Sequence, residues 1–269
     1  MKPFRLLDPN LPDRMASGVC ALAIMTKAPQ AGRVKTRLVP PLTPEEAAEL
    51  NKCFLRDTAA AISIACCSDG FRLSNTTDAP LQVGARRARR HCWPVAAYTP
   101  VGAESAYEDI LPADFSLLPQ RGDKFGERLY SAVDDLFKYG FDSVCLIDSD
   151  SPTVPAEHFA KAVELLSTCD ECVVLGPSDD GGYYLIGVRK PHRQLFEQID
   201  WSTERVLKQT IQRATKVGLE VQLLPKAYDV DDGASLHRLR NELLADTIAA
   251  DVAPYTREFL VKLSAHREL

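Results

Sequence analysis

The feature that most constrains this chain is an alternation. Short apolar runs of strand length recur between longer segments of helical periodicity. The runs are Val19–Met25, Val95–Tyr98, Ser116–Pro119, Ser143–Ile147, Cys172–Leu175, Tyr183–Val188 and Leu219–Leu224. Runs of this length without a polar face read as buried strands. Their alternation with helices implies an α/β layered fold with a largely parallel sheet.

The helical segments carry their own start signals. Thr43-Pro44-Glu45-Glu46 combines a capping box with proline at the first helical position, and opens a run through Ala47, Ala48, Phe54, Leu55 and Ile62. Ser202-Thr203-Glu204 is predicted to open a helix that Gly218 closes. Further helices are predicted at about residues 127–139 and 156–166, and from Gly233 to the end with a break near Pro254. The 269 residues show no repeat and no Gly/Ser linker, so one domain over 1–269 is expected. Its atypical pieces are a leader at 1–18 and an insertion or surface excursion at 66–94.

Composition excludes several function classes. Lys+Arg 32 against Asp+Glu 37 leaves a net charge of −5, which argues against a general nucleic-acid binder. The local cluster Arg86-Arg87-Ala88-Arg89-Arg90-His91 reads as a solvated helix face, with an anion or RNA patch as the sharper alternative. Val19–Met25 is far short of the roughly 20 residues that span a bilayer, and Met1–Arg14 holds no apolar core of a signal peptide. No membrane association and a cytoplasmic location are therefore expected. Of the eight cysteines, Cys20 and Cys145 fall inside strand runs as reduced thiols, and Cys169-Asp-Glu-Cys172 reads as a helix-to-strand junction.

Four segments could carry chemistry. After the first long strand comes Lys27-Ala-Pro-Gln-Ala-Gly32-Arg33-Val-Lys35-Thr-Arg37. Ligands of open α/β sheets bind beyond the strands' carboxyl ends. Lys27, Arg33, Lys35 and Arg37 around Gly32 are thus phosphate candidates, although neither a P-loop nor a dinucleotide fingerprint is present. Second, Asp148-Ser-Asp150-Ser-Pro follows the run Ser143–Ile147. In extended chain residues i and i+2 share a side, so the two carboxylates would converge on a cation, with hard oxygen ligands favouring Mg²⁺ or Mn²⁺. Third, Asp179-Asp180-Gly181-Gly182-Tyr183 lies between two strand runs and reads as a tight hairpin. Its glycines would admit a ligand closely, and Asp179 or Asp180 could bind hydroxyls or act as general base. Fourth, Asp229-Val-Asp231-Asp232 precedes a helix and offers either an N-cap or a further metal or phosphate-side carboxylate.

These motifs, in this order, resemble the radical-SAM/selenodomain-associated transferase family, which is glycosyltransferase-like and has the GT-A, or nucleotide-diphospho-sugar transferase, fold. The matching stretches are Thr26 to Leu38, Gln120 to Leu129, Asp148 to Pro152, Leu175 to Tyr184, Trp201 to Thr203 and Tyr228 to Asp231. Asp148 stands where the family has glycine and completes an Asp-x-Asp motif. The resemblance implies a three-layer α/β/α fold with a mostly parallel mixed sheet. It also implies a divalent cation, Mg²⁺ or Mn²⁺, on Asp150 with Asp148 and Asp231, and a nucleotide on Lys27, Gly32, Arg33, Lys35 and Arg37. By analogy with other sugar-nucleotide enzymes of the fold, Gln120, ahead of Gly126, would lie where the base is read. Asp150, Asp180 and Lys35 are then the catalytic candidates, and Asp179, Gly181, Gly182 and Tyr183 the substrate-binding ones.

Glycosyl transfer from a nucleotide sugar to a small acceptor is the leading expectation. Nucleotidyl transfer from an NTP is the rival that the basic loop supports. A non-catalytic nucleotide sensor is the third possibility, and would bind nucleotide almost unchanged in Asp150→Ala. Base, sugar, acceptor and oligomeric state are left open.

Overall fold

A computed structural model of the chain describes residues 4–11, 17–67, 91–245, 249 and 251–267. Eight strands form one sheet in the order β1-β4-β3-β2-β5-β7-β6-β8. They are β1 Arg5–Leu6, β2 Cys20–Lys27, β3 Cys92–Thr99, β4 Ser116–Pro119, β5 Ser143–Ile147, β6 Cys172–Pro177, β7 Tyr183–Val188 and β8 Glu220–Leu223. β7 runs antiparallel to both β5 and β6, and every other pairing is parallel. The predicted α/β class with a mostly parallel mixed sheet is the one observed.

Each predicted run is a strand. The predicted leader differs, because Arg5 and Leu6 add an edge strand parallel to β4. Two residues are too few for any alternation to reveal a strand. The excursion at 66–94 and the cluster Arg86–Arg90 lie mostly or wholly outside the described residues.

Alternation along the strands separates two packing faces. Cys20, Leu22 and Ile24 face one core with Leu55, Ala59 and Ile62 of α1 (Pro44–Cys67) and Phe159, Ala162 and Leu166 of α3 (Ala156–Thr168). Ala21 and Ala23 face the other, with Leu129, Val133 and Leu136 of α2 (Phe125–Tyr139) and Ala214 of α4 (Val206–Lys216). Replacing Leu22, fully buried in the first of these cores, by alanine would cost about 2–5 kcal/mol. A third cluster joins α1 to α5 (Gly233–Leu244) and α6 (Pro254–Arg267) through Leu50, Phe54, Leu239, Leu243 and Leu260.

The caps explain where the helices begin. Thr43 N donates to Glu46 Oε2 at 2.8 Å while Glu46 N donates to Thr43 Oγ1 at 3.2 Å, which is the predicted capping box. Asp232 caps α5 by accepting Ser235 N at 2.8 Å. α4, by contrast, starts at Val206 and not at Ser202. Ser202 takes a left-handed φ of 63°, and Thr203 Oγ1 donates back to Asp200 O at 2.7 Å, so this segment closes a turn before the helix.

Topology brings the four polar segments to one edge of the sheet. β2 and β5 are parallel neighbours with Ile24 opposite Ile147, so the loops that follow them emerge side by side. The β6–β7 hairpin turns at the same edge, because β7 starts where β6 ends. A bridge between Ser178 and Ala227 then draws the segment after β8 beside the hairpin.

Candidate active site

The loop after β2 folds around its own cations. Lys27 Nζ donates to Arg33 O at 3.0 Å, and Gly32 turns the chain at a φ of 68°. Lys35 is also left-handed, with a φ of 47°, a conformation uncommon in residues other than glycine. It sends its side chain inward. Its ammonium lies 2.9 Å from Asp150 Oδ1, 2.9 Å from Asp231 Oδ1 and 2.7 Å from Val230 O, over the ring of Phe54. Burial alone would lower this lysine's pKa, but Asp150 and Asp231 outweigh it and hold the pKa above that of an ordinary lysine.

Lys27, Arg33, Lys35, Arg37, Ser149, Asp150 and Asp231 line a cavity of about 240 Å³. Asn51 of α1 lines it too. It is only 4% exposed, and its Oδ1 has no protein partner. Sequence reasoning missed Asn51 because a lone asparagine inside a helical run carries no motif. A buried unsatisfied carbonyl is costly, and a donor group on a ligand would relieve that cost.

The two carboxylates after β5 take different partners. The strand ends at Ile147, and extended alternation ends with it. Asp148 turns onto Ser151, whose Oγ donates at 2.8 Å, while Asp150 reaches Lys35. Burial, then the neighbouring Asp150, pushes the Asp148 carboxyl well above the usual carboxylate range. Of the three carboxylates expected to share a divalent cation, Asp150 and Asp231 bracket an ammonium and Asp148 accepts from Ser151. Among the described residues no group of three or more His, Cys, Asp or Glu side chains is placed to hold a metal ion.

A larger cavity of about 800 Å³ adjoins the first, and Arg37, Ser149, Asp150 and Asp231 line both. One wall is apolar, with Met25, Leu129, Leu146, Ile186 and the edge-to-face pair Phe125 and Trp201, ring centroids 5.2 Å apart. The lining also carries Asp179, Asp180 and Asp229. Asp179 is tied to Lys226 and Arg238, each at 2.7 Å, and these cations lower its pKa. Asp180 accepts only Gly182 N of its own turn, at 2.8 Å, among the hydrogen bonds of its side chain. Asp229 accepts Ser178 Oγ at 3.0 Å, and burial, then Asp180 and Asp231, raises its pKa.

The hairpin glycines differ from expectation in what they approach. A Cβ on Gly181 would lie 2.3 Å from Glu204 O, and Leu207 N donates to Gly181 O at 2.8 Å. Gly181, at a φ of 88°, thus lets the hairpin meet the chain ahead of α4. Gly182 meets only Asp180. Tyr183 lines the large cavity, but its hydroxyl is buried beside Thr210. Likewise a Cβ on Gly126 would lie 2.6 Å from Trp201 Nε1, so this glycine seats the tryptophan, and it does not line the basic loop's cavity. Gln120 holds the ends of β2 and β3 together, its Nε2 donating to Thr26 O at 3.2 Å and Ala97 O at 2.7 Å.

Residues 83–203 match the family described as "Uncharacterized protein conserved in bacteria (DUF2064)". No curated protein matches the sequence. Among solved structures, a candidate nucleotide-diphospho-sugar transferase from Desulfovibrio desulfuricans G20 superimposes with a TM-score of 0.73 and 28% identity, over 93% of this chain and 96% of that one. The complex of CMP:2-keto-3-deoxy-manno-octonic acid synthetase with CTP is more distant, with a TM-score of 0.49 and 11% identity over 83% of this chain and 98% of that one. Among the described residues, no helix is long and apolar enough to cross a membrane.

Proposed function

We propose that the chain is a transferase that takes a nucleotide-diphospho-sugar at the basic loop and passes the sugar to a small acceptor in the adjoining cavity. One observation carries this reading. Segments from three separate strand ends meet at Lys35 beside a small cation-rich cavity, and Asp150 and Asp231, which bracket it, also line a large, partly apolar cavity. That is the division of labour a two-substrate transfer needs, with charge at the leaving diphosphate and apolar contact at the acceptor. The likeness to the Desulfovibrio protein, named for this chemistry, supports it.

In this reading Lys27, Arg33 and Arg37 receive the diphosphate. Asp180 and Asp229 orient the acceptor hydroxyl and take its proton as the oxygen attacks the anomeric carbon. The new C–O bond forms while the C–O bond to the diphosphate breaks, and its electron pair leaves on the nucleoside diphosphate. The test is to incubate the protein with nucleotide sugars and hydroxylated acceptors bearing an apolar group, and to follow nucleoside diphosphate release. Release that needs both substrates and falls at least tenfold in Asp180→Asn with Asp229→Asn supports the proposal. The cations around the small cavity also favour a second reading, nucleotidyl transfer. Pyrophosphate release from an NTP, with no turnover of any nucleotide sugar, would select that one.

A further inference from the structure

We infer that the ammonium of Lys35 is the resident cation of the Asp150–Asp231 pair, so that these carboxylates are not ligands of a divalent ion. The contacts of the group are complete. An ammonium has three N–H donors and no acceptor, and Lys35 spends them on Asp150 Oδ1, Asp231 Oδ1 and Val230 O, all within 2.9 Å. No donor is left over for a phosphate oxygen, which makes Lys35 a positioning residue. The phosphate charge then falls to Lys27, Arg33 and Arg37 on the same cavity.

Burial and charge point the same way. The Lys35 side chain is 5% exposed, against 34% for Asp150 and 40% for Asp231, so the cation sits behind its two partners. A divalent ion entering between those carboxylates would have to displace the ammonium from both of them, and with it two of its three hydrogen bonds. The local charge is already met, because Lys35 neutralises one carboxylate and Arg37 Nη1 approaches Asp231 Oδ2 at 3.7 Å.

The backbone agrees. Lys35 takes a left-handed φ of 47°, uncommon outside glycine, and its side chain enters the carboxylate pair. Val230 N also donates to Asp150 O at 2.9 Å, so the same junction is closed by main chain. Lys35 thereby ties the loop after β2 to the end of β5 and to the segment before α5. Its consequence for the donor rests on the transferase reading, but its test does not.

The test uses Mn²⁺ alone, with no nucleotide, followed by the loss of the free-ion electron paramagnetic resonance signal. Wild type and Asp150→Asn are expected to bind Mn²⁺ alike. Lys35→Met is expected to gain one further equivalent, at least tenfold tighter than any wild-type binding, and to lose it again when combined with Asp150→Asn. An equivalent bound by wild type that Asp150→Asn abolishes would overturn the inference, as would a folded Lys35→Met that gains none. Should Lys35→Met fail to fold, wild type against Asp150→Asn and Asp231→Asn decides the matter: equal binding supports the inference, and loss overturns it. Absence of nucleotide sugar turnover, measured separately, would count against the transferase reading alone.

Discussion

Gly181→Ala separates two roles for the hairpin, ligand approach and packing. The native φ of 88° costs an L residue about 1–2 kcal/mol. The added methyl would also stand 2.3 Å from Glu204 O, a backbone atom that cannot rotate aside. Forcing an extra carbon into such a contact costs a further ~1–3 kcal/mol, for a sum of about 2–5 kcal/mol. For a domain of this size each kcal/mol lowers Tm by about 2–4 °C, so a fall on the order of 5–15 °C is expected by calorimetry or circular dichroism. Because the strain lies between the hairpin and the chain before α4, nucleotide affinity at low temperature should change little. A Tm within 1 °C of wild type, or a loss of ligand binding with no loss of stability, would refute the packing role and restore the ligand-contact one.

Three further outcomes follow from the geometry. Asp148→Asn is expected to raise Tm relative to wild type at pH 8, with the gain shrinking toward pH 4. Burial and Asp150 raise the folded pKa of Asp148, so the folded state holds a proton that the unfolded chain releases above about 3.9. That contribution is full below the unfolded pKa and is lost as pH rises through the folded one; a gain that grows toward pH 4 would contradict it. Lys27→Ala with Arg33→Ala should weaken pyrophosphate binding at least tenfold by calorimetric titration, since each charge-assisted contact contributes about 1.5–3 kcal/mol; unchanged affinity would place the phosphates elsewhere. Asp179→Asn should lower Tm by no more than about 8 °C, because its two ion pairs to Lys226 and Arg238 are solvent-exposed and each such pair contributes ~0–1 kcal/mol; a larger fall in thermal unfolding would mean that those pairs are coupled to the core.

Much of the fold is legible in the sequence because burial writes itself into runs and caps. The apolar strand Ser143–Ile147 and the box at Thr43–Glu46 are both where local chemistry puts them. Local signals fail where a contact is made across the chain. β1 is too short to show a pattern, and the helix start expected at Ser202 is overridden by the turn that docks on Gly181. In the candidate site, the motifs are legible but their partners are not. Nothing in the spacing of Asp148 and Asp150 says that one will face Ser151 and the other a lysine more than a hundred positions earlier. The same holds for Gly126, which reads as part of a nucleotide motif and seats Trp201.

The central claim is that the Lys27–Arg37 loop binds the phosphates of a nucleotide donor. It is tested most directly by thermal unfolding of wild type and of Lys27→Ala with Arg33→Ala against a panel of nucleotide sugars and NTPs. A ligand at 100 times its Kd adds about 2.7 kcal/mol, or about 5–10 °C here. At least one nucleotide is expected to produce such a shift in wild type and little or none in the double variant. No shift with any nucleotide, or a shift that survives loss of both cations, would contradict the account.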